Sequence, residues 1–183
     1  MSRSTTMTST LKTPETLTIQ GKKTNGRKES PTLRIQTTCL FSSSCLLGKR
    51  CLYHGRHATF ALPVIKHLEG LGYFFVDACP EMLGGLPCPR PASYIRGGRV
   101  LQLRKDVTPA FELGADRALA IAAAAKPAVA LLLLNSPSCD PTFGVFGSKL
   151  AAWLPTIVCH RDNDWQERLF QFLGLPYQRD LFQ

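Results

Sequence analysis

Seven consecutive apolar residues at positions 128–134 constrain the fold of this 183-residue chain more than any other feature. An apolar run of this length, with no polar alternation, is typical of a strand buried on both faces of a parallel sheet. The run ends at Asn135, and Cys139 follows shortly after it. Because such a strand needs helices on both sides of its sheet, the run indicates an α/β protein.

Strand-like and helix-like stretches alternate along the rest of the chain. The pattern predicts strands at 36–43, 73–78, 100–103, 128–134 and 156–159, helices at 58–70, 108–125, 146–154 and 163–173, and a long loop at 80–98. Thr108 is expected to be the N-cap of its helix, because its hydroxyl can accept a hydrogen bond from the first turn. This alternation predicts a compact, Rossmann-like α/β fold with a parallel sheet and helices on both faces.

The first 38 residues differ in composition from the rest. They contain fifteen Ser and Thr residues, no aromatic residue and no sustained apolar period. Such a segment cannot bury enough apolar surface to offset its ordering entropy. We therefore predict a disordered basic tail at 1–36 and a single α/β domain at 37–183. The tail resembles an organelle transit peptide in being basic and acid-poor; the alternatives are a variable tail or a misassigned start codon.

More than half of the net charge of +9 lies in this tail. Residues 1–38 carry seven Lys or Arg and two Glu, which gives +5, and the remaining residues carry fifteen against eleven, which gives +4. The domain itself is only mildly basic. RNA therefore stays open as a partner that would bind the tail, but the charge distribution does not favour it.

Seven cysteines are present, at 39, 45, 51, 79, 88, 139 and 159. Their odd number, with no apolar signal segment before them, argues against a secreted disulfide framework. The longest apolar stretch, 118–134, is interrupted by Lys126 and Pro127 and is too short to span a bilayer, so no membrane partner is expected. We expect a cytoplasmic protein, or an organellar one if the tail is a targeting segment, with buried, reactive or metal-bound cysteines.

Three of the predicted strands end within a few residues of a cysteine: Cys45, Cys79 and Cys139. Ligands of open parallel sheets bind outside the carboxyl ends of the strands, so these thiols are expected along one functional edge. Three cysteines from separate loops suit a 4Fe–4S cluster with one iron left open to a soft ligand.

Other uses of the cysteines stay open at this point. Structural zinc and thiol–disulfide exchange both favour CxxC spacing, which does not occur. A nucleophilic cysteine could pair with a histidine, although no spacing singles one out among His54, His57, His67 and His160. Burial in the core is the commonest fate of any one cysteine.

Four motifs in the chain match a known family in order and spacing: SCLLGKRCLYHG, CPEMLGGLPCPRP, DVTPAFELGADRAL and NSPSCD. Over roughly residues 37–160 the chain resembles the 2-thiouracil desulfurase family. The resemblance implies an iron–sulfur, metal-binding protein that holds an oxygen-sensitive 4Fe–4S cluster through three cysteines. It also implies a desulfurase for a small thiolated pyrimidine, supplied with its cluster by the cluster-assembly machinery. The open iron would bind the substrate sulfur, and water would replace that sulfur without net redox change, giving uracil and hydrogen sulfide from 2-thiouracil.

The same resemblance implies roles for individual residues. The cluster ligands would be Cys45, Cys79 and Cys139. Glu81 is a candidate proton relay, with pairing to Arg90 as the alternative, and Ser138 is a second candidate catalytic residue. The residues expected to bind the substrate are Ser136, Arg90, Gly84 and Gly85. Cys51 is expected to pack or to act as a reserve thiol.

The chain also departs from the family pattern close to the expected site. Cys139 is followed directly by DPTF instead of a glycine and a short loop, and Tyr94 and His54 replace acidic residues that are common in the family. The alternatives to a thiouracil desulfurase are therefore a non-catalytic cluster- or metal-binding relative and an RNA-associated module that processes thionucleosides.

Overall fold

Four parallel strands form the central sheet. A computed structural model of the chain describes residues 38–178 and residue 180. The sheet consists of β1 (Cys39–Ser43), β2 (Phe74–Ala78), β6 (Ala130–Leu133) and β7 (Thr156–Cys159) in the order β2-β1-β6-β7, with every pair parallel. β2 pairs with one edge of β1. After β2 the chain crosses back past β1, and β6 pairs with the opposite edge of β1. The predicted α/β class with a parallel sheet is confirmed.

Helices cover both faces of this sheet, as predicted. Helices α1 (Leu62–Gly70) and α5 (Trp165–Leu173) pack against one face, where the buried strand residues are Leu40, Leu131, Ile157 and Cys159. Helices α3 (Thr108–Ala125) and α4 (Gly147–Ala151) pack against the other face, over Phe41, Ala130 and Leu132. Neighbouring strand residues thus point into opposite cores, which is why the run at 128–134 is apolar throughout.

The long loop predicted at 80–98 is corrected by the structure. It contains a one-turn helix, α2 (Pro80–Leu83), and the strand β3 (Ser93–Arg96). β3 pairs with β4 (Arg99–Gln102), which pairs with β5 (Lys105–Asp106), in a small antiparallel sheet. This sheet and α2 lie in the connection between β2 and α3, so they form an insertion in the β2-to-β6 crossover.

Thr108 is the first residue of α3 and not its N-cap. Its hydroxyl accepts a hydrogen bond from the backbone N–H of Val100 at 2.9 Å, so it ties the helix to β4. The carboxylate of Asp106 accepts the N–H of Thr108 at 2.9 Å and takes over the capping function. None of the helices within the described residues is long and apolar enough to cross a membrane. The predicted tail at 1–36 lies outside the described residues.

Candidate functional site

A cavity of about 340 Å³ opens at the carboxyl ends of β1, β2 and β6. Strand order changes direction between β1 and β6, and the crevice at such a point is where open parallel sheets bind their ligands. The cavity is lined by residues from three loops that follow these strands. Among them are six residues predicted as part of the site: Cys45, Cys79, Cys139, Glu81, Arg90 and Ser136.

The first loop brings two thiols to the cavity. Cys45 lies in a single 3-10 turn directly after β1, and Gly48 ends that turn with a positive φ of 86°. The left-handed conformation of Gly48 reverses the chain, and Cys51 thereby returns to line the same cavity as Cys45. Both cysteines are buried. Cys51, which the sequence predicts only to pack or to act as a reserve thiol, lines the wall of the cavity.

The second loop places Cys79 immediately before α2. Cys79 is an extended residue at the helix start, and its carbonyl oxygen accepts the N–H of Leu83 at 3.0 Å. Its Sγ lies 3.9 Å from the carbonyl oxygen of Cys51. The position of this thiol therefore depends on the docking of α2, which packs mainly against α3.

The third loop holds Cys139 through backbone hydrogen bonds. The Ser136 hydroxyl oxygen accepts the N–H groups of Ser138 at 3.3 Å and Cys139 at 3.1 Å. Gly147 lies against the carbonyl of Cys139 so closely that a Cβ there would overlap it. The Cys139 backbone is thus held from both sides, which limits the movement of its thiol.

Asp140 closes the shortened loop after Cys139. Its buried carboxylate accepts the N–H groups of Asn135 at 3.0 Å and Thr142 at 2.9 Å, and it also contacts the Thr142 hydroxyl. Burial favours a higher pKa for Asp140, but these hydrogen bonds outweigh it and lower the pKa. The DPTF departure from the family pattern therefore forms a closed, hydrogen-bonded turn that keeps Cys139 at the cavity.

The thiols of the cavity interact with one another. The neighbouring Cys45 thiol is the main reason why the pKa of Cys51 is raised to about 12, although the Cys79 thiol acts in the opposite direction. Contact with Cys51, followed by burial, raises the pKa of Cys79, and burial raises the pKa of Cys139 to about 12. A thiolate in this cavity thus needs a cation beside it, which a bound metal supplies.

Glu81 and Arg90 form an ion pair in the cavity wall. Nε of Arg90 donates to Oε2 of Glu81 at 2.7 Å. The Arg90 side chain is 2% exposed and the Glu81 side chain is 12% exposed. Burial alone would lower the pKa of Arg90, but the hydrogen bond with Glu81 helps to raise it above its ordinary value. Pairing of Glu81 with Arg90, which the sequence left as an alternative, is the arrangement that the structure has.

The other predicted site residues are placed unevenly. Ser136 lines the cavity, but Ser138, Gly84 and Gly85 are not part of its lining. The Ser138 side chain is fully buried, and its hydroxyl has no hydrogen-bond partner among the described residues. Gly84 lies against the carbonyl of Ala110 in α3 and so packs against that helix; its predicted contact with substrate stays a prediction. These two glycines and Ser138 lie outside the group that the fold brings together.

The thiols of the site have the chemistry that an iron–sulfur cluster requires. Within residues 38–178 and 180, no three His, Cys, Asp or Glu side chains are close enough to hold one ion. Three thiols from separate loops nevertheless line one cavity. A 4Fe–4S cube binds its ligands at different corners, and thiolate is the ligand that iron–sulfur clusters require. The chemistry of Cys45, Cys79 and Cys139, and their place in one cavity, therefore agree with such a cluster.

Two site residues were missed by sequence reasoning: Ser43 and Asp140. Ser43 ends β1, is buried and lines the cavity, and its hydroxyl oxygen accepts the N–H of Leu133 at 3.3 Å. The signal for Ser43 was its position two residues before Cys45 at a strand end. The signal for Asp140 was a carboxylate directly after a predicted ligand.

Comparison with known proteins agrees with the geometry. The protein YbbK of Bacillus subtilis (strain 168), which is uncharacterized, is 37% identical over 121 residues, which are 58% of this chain and 78% of YbbK. A solved [4Fe-4S]-dependent thiouracil desulfidase, TudS, superposes with a TM-score of 0.64 at 28% identity and covers 75% of this chain and 99% of its own. The family model for 2-thiouracil desulfurase matches residues 40–151, a range that contains the three predicted cluster ligands and all residues that line the cavity. This chain therefore belongs to the 2-thiouracil desulfurase family.

Proposed function

We propose that this protein is a 4Fe–4S-dependent desulfurase that converts 2-thiouracil, or a closely related thiolated pyrimidine, to the oxygen analogue and hydrogen sulfide. Water supplies the oxygen and two hydrogens leave with the sulfur, so the reaction needs no oxidant or reductant. The observation that carries this proposal is the convergence of Cys45, Cys79 and Cys139, from three strand ends, on one cavity. The similarity to TudS supports the same cofactor and substrate class.

Cys45, Cys79 and Cys139 would hold the cluster in this site. When bound, the cluster supplies an open iron that acts as a Lewis acid on the substrate sulfur. The protein contributes the shape of the cavity and the groups around it. Leu133, Leu134 and Pro137 line one side and offer apolar contact to a planar ring.

Glu81 would move the protons in this reaction. One of its oxygens, Oε2, is occupied by Arg90, whereas Oε1 accepts no hydrogen bond from the described residues. The side chain lines the cavity two residues after Cys79, so Oε1 can take a proton from the attacking water and return one to the departing sulfur. Ser136 lies across the cavity and can donate its hydroxyl proton to a ring carbonyl or to sulfur.

Anaerobic reconstitution tests this proposal. Wild-type protein is expected to bind about four irons and four sulfides per chain and to release sulfide from 2-thiouracil. Each of the variants Cys45→Ser, Cys79→Ser and Cys139→Ser is expected to lose both properties. Cys39→Ala is the matched control, because Cys39 is also buried but begins β1 at the end remote from the cavity. A wild-type chain that binds no cluster, or that binds it equally well in all four variants, would overturn the proposal. A chain that binds the cluster but releases no sulfide would support the alternative, a non-catalytic cluster-binding relative.

A further inference from the structure

Arg90 has the least exposed charged side chain in the wall of the cavity. Its side chain is only 2% exposed, and each nitrogen of its guanidinium has a protein partner. Nε donates to Oε2 of Glu81 at 2.7 Å and Nη1 donates to the carbonyl of Pro87 at 3.2 Å. A planar guanidinium fixes the directions of its donors, so these bonds also fix the direction from which Oε2 of Glu81 is held.

The same side chain reaches across to the first loop. Nη2 of Arg90 donates to the carbonyl of Cys51 at 3.0 Å, and the backbone N–H of Arg90 donates to the carbonyl of Tyr53 at 2.7 Å. Cys88 adds to this connection, since its thiol lies 3.2 Å from the carbonyl of Arg50. The loop with Glu81 and the loop with Cys51 are therefore joined through one buried cation.

These contacts leave little donor capacity for a substrate. Three of the five guanidinium N–H groups meet oxygen acceptors of the protein, and Nη1 also lies 3.9 Å from the sulfur of Met82. The contacts that the structure gives Arg90 are thus with protein groups that shape the site.

We propose that Arg90 is a positioning residue that acts through Glu81. It holds Oε2 and thereby presents Oε1 to the cavity, and it keeps that carboxylate at a set distance from the Cys51 loop. This inference rests on the proposed desulfurase function. It assigns no direct contact between Arg90 and the substrate.

Kinetics with 2-thiouracil separate positioning from binding. Arg90→Lys keeps the positive charge but loses the planar fork of donors. If Arg90 positions Glu81, R90K lowers kcat by about 10- to 100-fold and leaves KM within about two-fold. If Arg90 binds the substrate, KM rises and kcat is kept. The matched control is Arg117→Lys, because Arg117 donates to the carbonyl of Leu83 at 2.6 Å from an exposed position on α3.

A double-mutant cycle tests whether Arg90 acts through Glu81. Glu81→Gln removes the proton-transfer group, so R90K is expected to add less than a two-fold loss in the E81Q background. Iron and sulfide content and the visible absorbance of R90K should equal those of wild type, and all rates are expressed per bound cluster. If R90K does not bind the cluster, the Arg90→Ala variant is tested with added guanidinium ion instead. The inference is supported if guanidinium ion restores cluster binding and turnover to this variant and ammonium ion does not.

Three results would overturn this inference: a raised KM with unchanged kcat, losses that multiply in the double variant, or no rescue by guanidinium. R90K kinetics equal to those of R117K would do the same. In each case a wild-type chain that desulfurates 2-thiouracil leaves the proposed function standing. A loaded wild-type chain without that activity would instead end the proposed function.

Discussion

Gly114 in α3 lies against the backbone of Pro80 at the start of α2, with no room for a side chain between them. A Cβ at Gly114 would overlap the carbonyl oxygen of Pro80, and one at Gly84 would overlap the carbonyl oxygen of Ala110. Two glycines on opposite elements thus allow the two helix backbones to touch. Since Pro80 follows Cys79 directly, this close approach also sets the position of a predicted cluster ligand.

Gly114→Ala is expected to destabilise the cluster-free protein by about 1–3 kcal/mol, because the helices must separate to admit the methyl group. Urea denaturation measures the change in the free energy of unfolding. The matched control is Gly70→Ala at the end of α1, where no atom of residues 38–178 or 180 lies within 4 Å of the added carbon. That control should be neutral or stabilising by up to about 1 kcal/mol. Equal effects of the two substitutions would show that α2 and α3 do not pack this closely.

The charge of Asp106 is expected to stabilise the fold at neutral pH but not in acid. The hydroxyl and the backbone N–H of Thr108 donate to this carboxylate and lower its pKa below the ordinary value near 3.8. A carboxyl group whose pKa is lowered by folding adds stability above its unfolded pKa, and that contribution disappears as the pH falls through the folded pKa.

Asp106→Asn keeps an oxygen acceptor for the N–H of Thr108 but removes the charge. Wild type should therefore be the more stable protein at neutral pH, and the difference should shrink as the pH falls below about 4. Urea denaturation from about pH 6 to about pH 3 gives the comparison. A difference that stays constant to the acid end of this range would contradict the role given to the carboxylate.

The turn between β4 and β5 has a sequence that is poorly suited to its conformation. Two residues, Leu103 and Arg104, connect the strands, and both have a positive φ, of 47° and 69°. Two-residue hairpin turns with two positive φ values strongly favour Asn-Gly. Replacing the pair by Asn-Gly is therefore expected to raise the free energy of unfolding by about 1 kcal/mol, because left-handed backbone is strained for leucine and arginine. Thermal unfolding checks this, and a destabilised double variant would show that the side chain of Leu103, which is 78% exposed, has an unrecognised contact.

The elements that the sequence predicted well are those whose pattern is set by burial. The strand at 156–159 was predicted with the bounds it has in the structure. Helix α3 ends at Ala125 as predicted but begins at Thr108, which was predicted as its N-cap. Strand ends close to Cys45, Cys79 and Cys139 were enough to place all three thiols at one edge of the sheet. These inferences needed only period, length and the rule that parallel strands end on the same side.

What could not be predicted depends on contacts between distant residues. The segment at 80–83 has proline and glycine nearby and reads as a loop, but packing against Gly114 makes it a helix. Cys51 joins the site only because the turn at Gly48 returns the chain to the cavity. For Arg90 the sequence offered two partners, and only the folded distance to Glu81 decides between them.

Ser136 and Ser138 provide the sharpest test of the Cys139 loop, because two similar residues have opposite environments. The Ser136 hydroxyl oxygen accepts the N–H of Cys139 at 3.1 Å and lines the cavity, whereas the Ser138 hydroxyl is buried without a hydrogen-bond partner in the part of the chain that the structure describes. Ser136→Ala removes the acceptor for two backbone N–H groups beside a predicted ligand. We expect cluster retention and activity to fall by about 10- to 100-fold, as for other residues that orient metal ligands.

Ser138→Ala should behave differently. It removes a buried hydroxyl that has no partner, so activity should be unchanged and the free energy of unfolding should be equal to that of wild type or higher by about 1 kcal/mol. Iron content, sulfide release from 2-thiouracil and urea denaturation are measured on both variants side by side. If S138A loses activity while its iron content is unchanged, the hydroxyl takes part in the reaction after all. The catalytic role first predicted for Ser138 would then stand, and its orphaned hydroxyl would have a partner only in the loaded site.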